Sequence, residues 1–153
     1  MSIHVGRVQD IEVIPNLKEN LVFEEGQTPE KFVEQIKTFL KQAPDKIQII
    51  AAVGEKSVVG FSIAFDLGVP HIWISQFWND PQVSSKVADE MFLRVLNWAV
   101  GLGKKEVRAE TRRNVEAMYR RVGFEPHSTI VKLSLNGIES KLLDRAREVF
   151  KDG

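Results

Sequence analysis

The apolar positions of the chain follow two periods, and the change from one to the other marks its elements. Behind Thr28 and Pro29, a strong helix start, Phe32, Val33, Ile36, Phe39 and Leu40 recur at helical spacing until Pro44 stops the run. A longer stripe of Val87, Ala88, Met91, Phe92, Val95, Leu96, Ala99 and Leu102 predicts a second helix over 84–102. Ser84 or Ser85 can cap it, Gly101 and Gly103 end it, and Asp89, Glu90, Arg94 and Asn97 are expected to face away. Between these helices the pattern shortens to runs rich in β-branched and aromatic residues. IQIIAAV (47–53) and SVVGFSIAFDL (57–67), separated by Gly54, Glu55 and Lys56, predict an antiparallel hairpin. After a turn at Gly68, Val69 and Pro70, HIWISQFW (71–78) predicts a third strand, with Trp73, Ser75 and Phe77 on one face and Ile72, Ile74, Gln76 and Trp78 on the other. Polar residues on both faces suggest that this strand also lines a cleft. Asn79, Asp80 and Pro81 break it.

Both ends of the chain are less regular. Residues 3–14 alternate weakly, as an edge strand could, and 15–27 read as an irregular connection. Residues 105–111 have strand composition. Asn114 then caps a short helix that Gly123 ends in the left-handed conformation, with Glu116 in its first turn and Arg120 and Arg121 in its last complementing the dipole. A strand over 128–135 follows, Asn136 and Gly137 turn the chain, and 138–150 form an amphipathic helix with Ile138, Leu142, Ala146, Val149 and Phe150 on one face. That face needs a partner. The expected architecture is α/β: a mixed, mainly antiparallel sheet with helices on both faces.

Composition narrows the picture. The 153 residues suggest one domain, long enough to bury roughly 70% of the surface of its unfolded chain. With 21 basic and 21 acidic residues the net charge is zero, which speaks against whole-molecule attraction to nucleic acid or an anionic membrane. There is no cysteine, so disulfides, thiolate zinc sites and a cysteine nucleophile are excluded, and His4, His71 and His127 have no ligand spacing. The N-terminus has no apolar signal core and no run approaches the ~20 apolar residues of a membrane span. The expectation is a soluble, cytoplasmic protein.

The order Asn114, Ala117, Tyr119, Gly123, Phe124, spaced N-x-x-A-x-Y-x-x-x-G-F after a strand, resembles the second half of the acetyl-CoA site of the GNAT N-acetyltransferase superfamily. The resemblance covers roughly residues 47–135. It implies a GNAT-like sheet with a splayed cofactor cleft between strands 71–78 and 105–111, where the first carries a bulge and pantetheine pairs with exposed backbone near Phe77 and Trp78. It implies acetyl-CoA as cosubstrate, Tyr119 as the general acid, and Asn114 and Ala117 beside the cofactor. The start of helix 84–102 is the expected pyrophosphate site on physical grounds too, because the first amides of a helix lack internal partners and its dipole favours an anion. The family fingerprint R/Q-x-x-G-x-G/A aligns there with Val83, Ser84, Ser85, Lys86, Val87 and Ala88, of which only Ala88 fits. Ser84, Ser85 and Lys86 can add donors and charge, whereas a side chain in place of the glycine can block close approach. An ordinary capped helix that binds nothing is the plain alternative.

Other roles stay open on the sequence. Tyr119 is either the acid that protonates the CoA thiolate or a packed tyrosine with its hydroxyl at the surface. Asn114 is an N-cap, with or without a cofactor contact. Candidate bases for the amine are Glu110, which leads, His71 and Asp66, with deprotonation through water equally open. Arg108, Arg112, Arg113, Arg120 and Arg121 cluster around the motif. Arg112 and Arg113 could meet the 3′-phosphate of CoA, and zero net charge without interleaved aromatics disfavours a nucleic-acid patch. Trp73, Phe77 and Trp78 read as core, though one could wall an acceptor pocket. The function implied is acetyl transfer to an unidentified small-molecule or peptide amine. The alternative is a GNAT-fold interaction module that has lost efficient acetyl-CoA binding. A homodimer is compatible with either.

Overall fold

The computed structural model describes residues 2–21, 28–110, 123, 125–127 and 130–134. The Asn114, Ala117, Tyr119 and Phe124 positions of the motif, four of the clustered arginines and the C-terminal amphipathic segment lie outside them. The strands are β1 (His4–Val8), β2 (Ile47–Val53), β3 (Val58–Asp66), β4 (His71–Asn79), β5 (Glu106–Glu110), β6 (Glu125–His127) and β7 (Ile130–Ser134). They form one seven-stranded sheet in the order β1-β2-β3-β4-β5-β7-β6. Every pairing is antiparallel except β4 with β5. The parallel pair exists because the chain leaves β4 through helix α2 (Ser85–Gly101) and returns in the same direction.

Both helices start where their capping residues stand. In α1 (Pro29–Gln42) the Thr28 hydroxyl accepts from the Lys31 N–H at 3.2 Å, with proline in the first turn. In α2 the Ser84 hydroxyl accepts from the Lys86 N–H at 3.2 Å, and the helix ends before Gly103, whose φ of 73° is the left-handed value expected of a C-terminal glycine. Gly123 has a φ of 103°, in the region that favours glycine.

The helices take opposite faces of the sheet. Under α2, Ile50, Ala52, Val59, Ala64, Ile72, Ile74, Val107 and Ala109 pack with Val87, Met91, Phe92, Val95 and Leu96. Gly60 makes this contact close: a Cβ there would lie 2.9 Å from the Met91 methyl and 3.1 Å from the Trp78 carbonyl. On the other face α1 and the turns of 3₁₀ helix after β1 cover Ile47, Ile49, Ala51, Phe61 and Ile63 with Ile11, Ile14, Leu17, Phe32, Val33 and Ile36. No described helix is long and apolar enough to cross a membrane.

Three expectations are corrected. The stretch 3–14 is not one strand, since β1 ends at Val8 and Asp10 caps a short 3₁₀ turn, its carboxylate accepting from the Glu12 N–H at 2.9 Å. Asp89 does not face away, and is 6% exposed. Strict alternation along β4 fails too. The register against β3 shifts between Ile63, opposite Gln76, and Ala64, opposite Ile74, so Ser75 is an extra residue in a β-bulge. The bulge reverses the faces beyond it: Phe77 joins Ile72 and Ile74 beneath α2, while Trp78 packs on Phe61 of the α1 side.

Candidate functional site

The bulge at Ser75 is also where β4 loses one neighbour. Parallel pairing with β5 covers His71 with Glu106, Ile72 with Val107, Trp73 with Arg108 and Ile74 with Ala109, and there it stops. Residues 75–79 remain paired to β3 on one side and, among the described residues, have no strand on the other. Glu110, opposite Ile130 of β7, occupies the last position of β5, just past the point of divergence. Among the described residues the parallel pairing thus ends toward the C-terminal ends of both strands, the place where a sheet of parallel strands presents a crevice to ligands.

The start of α2 lies at this open end. Asp80 organises the turn into it, donating its N–H to the Val59 carbonyl at 2.8 Å while its carboxylate accepts from the Gln82 N–H at 2.9 Å. The Val83 N–H donates to the Asp80 carbonyl at 3.0 Å, and the Val83 side chain packs half-buried on the α2 core. Ser84, Ser85 and Lys86 are exposed on the first turn. Val87 and Ala88 are buried core residues, so what they can offer a ligand is backbone. The Val87 N–H already donates to the Ser84 carbonyl at 3.1 Å. Phe77 is likewise committed to the core, stacked on Phe92 with centroids 4.1 Å apart and planes within 5°. Trp78 is half-buried, its ring 5.6 Å from that of Phe61.

Two of the candidate bases sit at the opposite, closed end of the β4–β5 pair. The Asp66 carboxylate is 6% exposed and holds Lys104 Nζ at 2.7 Å, Lys46 Nζ at 3.7 Å and the Gly68 N–H at 3.0 Å. The Lys104 hydrogen bond, with the Gly68 N–H and both ammonium charges, keeps its pKa below the ordinary carboxylate value against the opposing effect of burial. Lys104 also donates to the Val69 carbonyl at 2.8 Å, and the Lys105 N–H to that of Pro70 at 2.9 Å. Asp66 is therefore a staple joining the β3–β4 turn to the segment that enters β5. His71 is half-buried, its pKa lowered first by burial and then by the Arg108 charge, with Glu106 opposing. It stands four residues before Ser75, about 13 Å along the strand. Arg108, placed in the sequence with the arginine cluster, pairs its Nε with Glu106 Oε2 at 2.9 Å.

The antiparallel strands β1 to β4, one parallel partner, a bulge and a splay opening toward a helix start together determine the fold type. The chain has the GNAT fold. Solved structures share it at low identity. An acetyltransferase of the GNAT family from Staphylococcus aureus superposes with a TM-score of 0.67 at 12% identity, covering 88% of this chain and 100% of its own. The PaiA N-acetyltransferase from Thermoplasma acidophilum, solved with coenzyme A, gives 0.65 at 15% identity, covering 88% and 99%. A GNAT phosphinothricin acetyltransferase from Sinorhizobium meliloti, solved with AcCoA, gives 0.67 at 12% identity, covering 88% and 89%. By sequence, no family model and no curated protein matches the chain. The GNAT fold was legible in the motif, whereas the location of the bulge, the closed-end role of Asp66 and the close contact at Gly60 were not.

Proposed function

We propose that this protein transfers an acetyl group from acetyl-CoA to an amine. The observation that carries the reading is the β4 edge at 75–79, which lies beyond the last parallel pair with β5 and begins at the Ser75 bulge, with the α2 N-terminus following its far end. Such an edge fits the amide-bearing pantetheine arm, which can pair with it as an added strand would. Phe77 contributes backbone to that edge, and Trp78 a half-buried ring. The Ser84 and Ser85 hydroxyls, the Lys86 ammonium and the positive dipole end of α2, whose first turn Val87 and Ala88 anchor in the core, suit a diphosphate. Val83 walls the turn, and Asn114 and Ala117 complete the cofactor side. The CoA complex of the Thermoplasma protein and the AcCoA complex of the Sinorhizobium protein, both of this fold, support the ligand.

In this mechanism the amine attacks the thioester directly, held in place by the cleft, while backbone N–H groups of the β4 edge donate to the carbonyl oxygen as its charge develops. The Tyr119 hydroxyl protonates the departing thiolate, a task for a donor that stays protonated at neutral pH. Glu110, at the mouth of the cleft, takes the amine proton directly or through water. Asp66 is removed from the candidate bases by its ion pairs, and His71 by its distance from the opening.

The test is a thermal melt with acetyl-CoA and CoA. Ligand at ~100 times its dissociation constant should add about 2.7 kcal/mol to unfolding. A melt unmoved at millimolar ligand would overturn the reading in favour of a GNAT-fold interaction module. Lys86 in the place of the fingerprint glycine, and the internal partners already held by the Lys86 and Val87 amides, favour that second reading.

A further inference from the structure

Between α1 and the end of β3 runs a groove of about 380 Å³. Phe32, Ile36, Phe39 and Phe65 give it an apolar floor, Phe39 meeting Phe65 edge-on with ring centroids 5.1 Å apart, and Glu34, Gln35 and Thr38 form its rim. The Glu34 carboxylate on that rim is exposed, 3.9 Å from the Lys37 ammonium. The same face of the sheet continues past the groove. Register sets Trp73 of β4 opposite Phe65, Arg108 of β5 opposite Trp73 and Lys132 of β7 opposite Arg108, one row across four adjacent strands. Trp73 and Arg108 are half-buried, and among the described residues Trp73 joins neither of the two cores.

We infer that this surface is the docking site of the chain's own C-terminal segment, 138–150, which lays its apolar stripe along the groove beside α1 and over Trp73. The stripe of Ile138, Leu142, Ala146, Val149 and Phe150 lies outside the described residues, and a helix of that length is marginal in water unless such a stripe is buried. Where the chain leaves the sheet selects the surface. Ser134, the last residue of β7, stands opposite Glu106, and Glu106 opposite His71, so β7 ends at the same edge of the sheet as β3. Three strand spacings of about 4.8 Å put the end of β3 roughly 14 Å from β7. Residues 138–150 span about 20 Å as a helix, after a link of only 135–137. On so short a tether the segment meets the groove at an effective concentration of order millimolar, above that of a second copy of the chain in dilute solution. Charge agrees with the fit. At helical spacing Lys141 and Arg145 flank one edge of the stripe, and the Glu34 carboxylate stands on the groove rim to receive them. Docking removes the stripe and the phenylalanine rings from water together.

The chain has no cysteine, so two introduced cysteines are its only thiols. In the full chain, Gln35→Cys with Ala146→Cys should be joined within one molecule by a short bismaleimide, whereas Glu55→Cys with Ala146→Cys should not, because Glu55 lies in the β2–β3 turn at the opposite end of the sheet. Hydrogen exchange should show the amides of 142–150 slowed by roughly 10-fold or more in wild type relative to Leu142→Asp, which places a charge in the stripe. Glu34→Lys should lower that protection, and Glu34→Lys with Arg145→Glu should recover part of it. Crosslinks that join two molecules would overturn the inference in favour of a second copy on the groove. Equal crosslinking of both cysteine pairs, wild-type amides that exchange as fast as those of Leu142→Asp, or a double variant no better protected than Glu34→Lys would overturn it as well. None of these readouts requires acetyl-CoA or an amine, so they decide the docking apart from the proposed activity.

Discussion

The two ends of the β4–β5 pair are built from opposite physics. At the closed end, backbone pairing runs from His71 and Glu106 to Ile74 and Ala109, and the buried Asp66 spends its acceptor capacity on Lys104, Lys46 and the Gly68 N–H. At the open end one extra residue, Ser75, reverses the faces of β4 and the parallel pairing with β5 has ended, while the first turn of α2 presents two serines and a lysine to solvent. Asp66, at the closed end, is held by its partners and is therefore structural. The open end is where the proposed chemistry would sit.

The comparison breaks first at Tyr119. If the open end holds the chemistry, Tyr119→Phe should lower kcat by about 10²-fold or more while leaving the melting temperature and the acetyl-CoA dissociation constant near wild type. Steady-state turnover with any accepted amine, beside a melt, reads this out, and unchanged turnover would assign Tyr119 to packing. The complementary substitution lies at the closed end. Asp66→Asn leaves the largely buried Lys104 ammonium facing a neutral amide, with the half-exposed Lys46 beside it, and removing one partner of a buried pair costs about 3 kcal/mol. Denaturant unfolding at neutral pH should show that loss with acetyl-CoA affinity retained. The Asp66 pKa is depressed in the folded chain, so its contribution is present above the unfolded value of about 4 and disappears as pH falls through the lower folded value. The variant should therefore lose part of the acid limb of the stability profile.

What could be read in advance divides along similar lines. Helices α1 and α2 were legible because Thr28 with Pro29, and Ser84, announce their starts and a 3.6-residue stripe follows each. The hairpin of β2 and β3 was legible from its β-branched runs and the Gly54 turn. The faces of β4 were not, because a bulge changes the register without changing composition: Phe77 and Trp78 exchange sides through a single residue in register, and only the pairing with β3 reveals it. Asp66 looked like a candidate base because a strand-end carboxylate has the same appearance whether solvated or stapled. Its principal partner, Lys104, is 38 residues away and comes beside it only when α2 returns the chain to β5.

A smaller effect is expected at Lys86. If the α2 start receives a diphosphate, the exposed Lys86 ammonium assists it from the rim, and Val83, which takes the place of a polar residue, makes that help the simplest compensation. An exposed ion pair contributes up to about 1 kcal/mol, so Lys86→Gly should weaken CoA binding by roughly 5-fold or less at low salt. High salt should narrow the gap between wild type and variant. Tighter binding by the variant would mean instead that the lysine stem obstructs approach to the amides. Calorimetric titration at two salt concentrations separates the outcomes.

The smallest effect belongs to His71, and it sharpens the comparison because His71 was a candidate base. Burial, then the Arg108 and Lys104 charges, lower its pKa, and Glu106 opposes them incompletely. The folded chain therefore holds His71 neutral at pH values where the unfolded chain, with a pKa of about 6.5, has begun to bind a proton. Stability from this residue is fully present above about 6.5 and is lost as pH falls through that value toward the folded pKa. The difference in unfolding free energy between wild type and His71→Asn should accordingly shrink as pH falls from about 7 toward 5, a window above the one in which the depressed Asp66 pKa acts. Because His71 lies about 13 Å from the bulge, the pH profile of kcat/KM should be the same in both proteins. A profile whose ascending limb vanishes in the variant would move the base to the closed end and undo the assignment of chemistry to the open one.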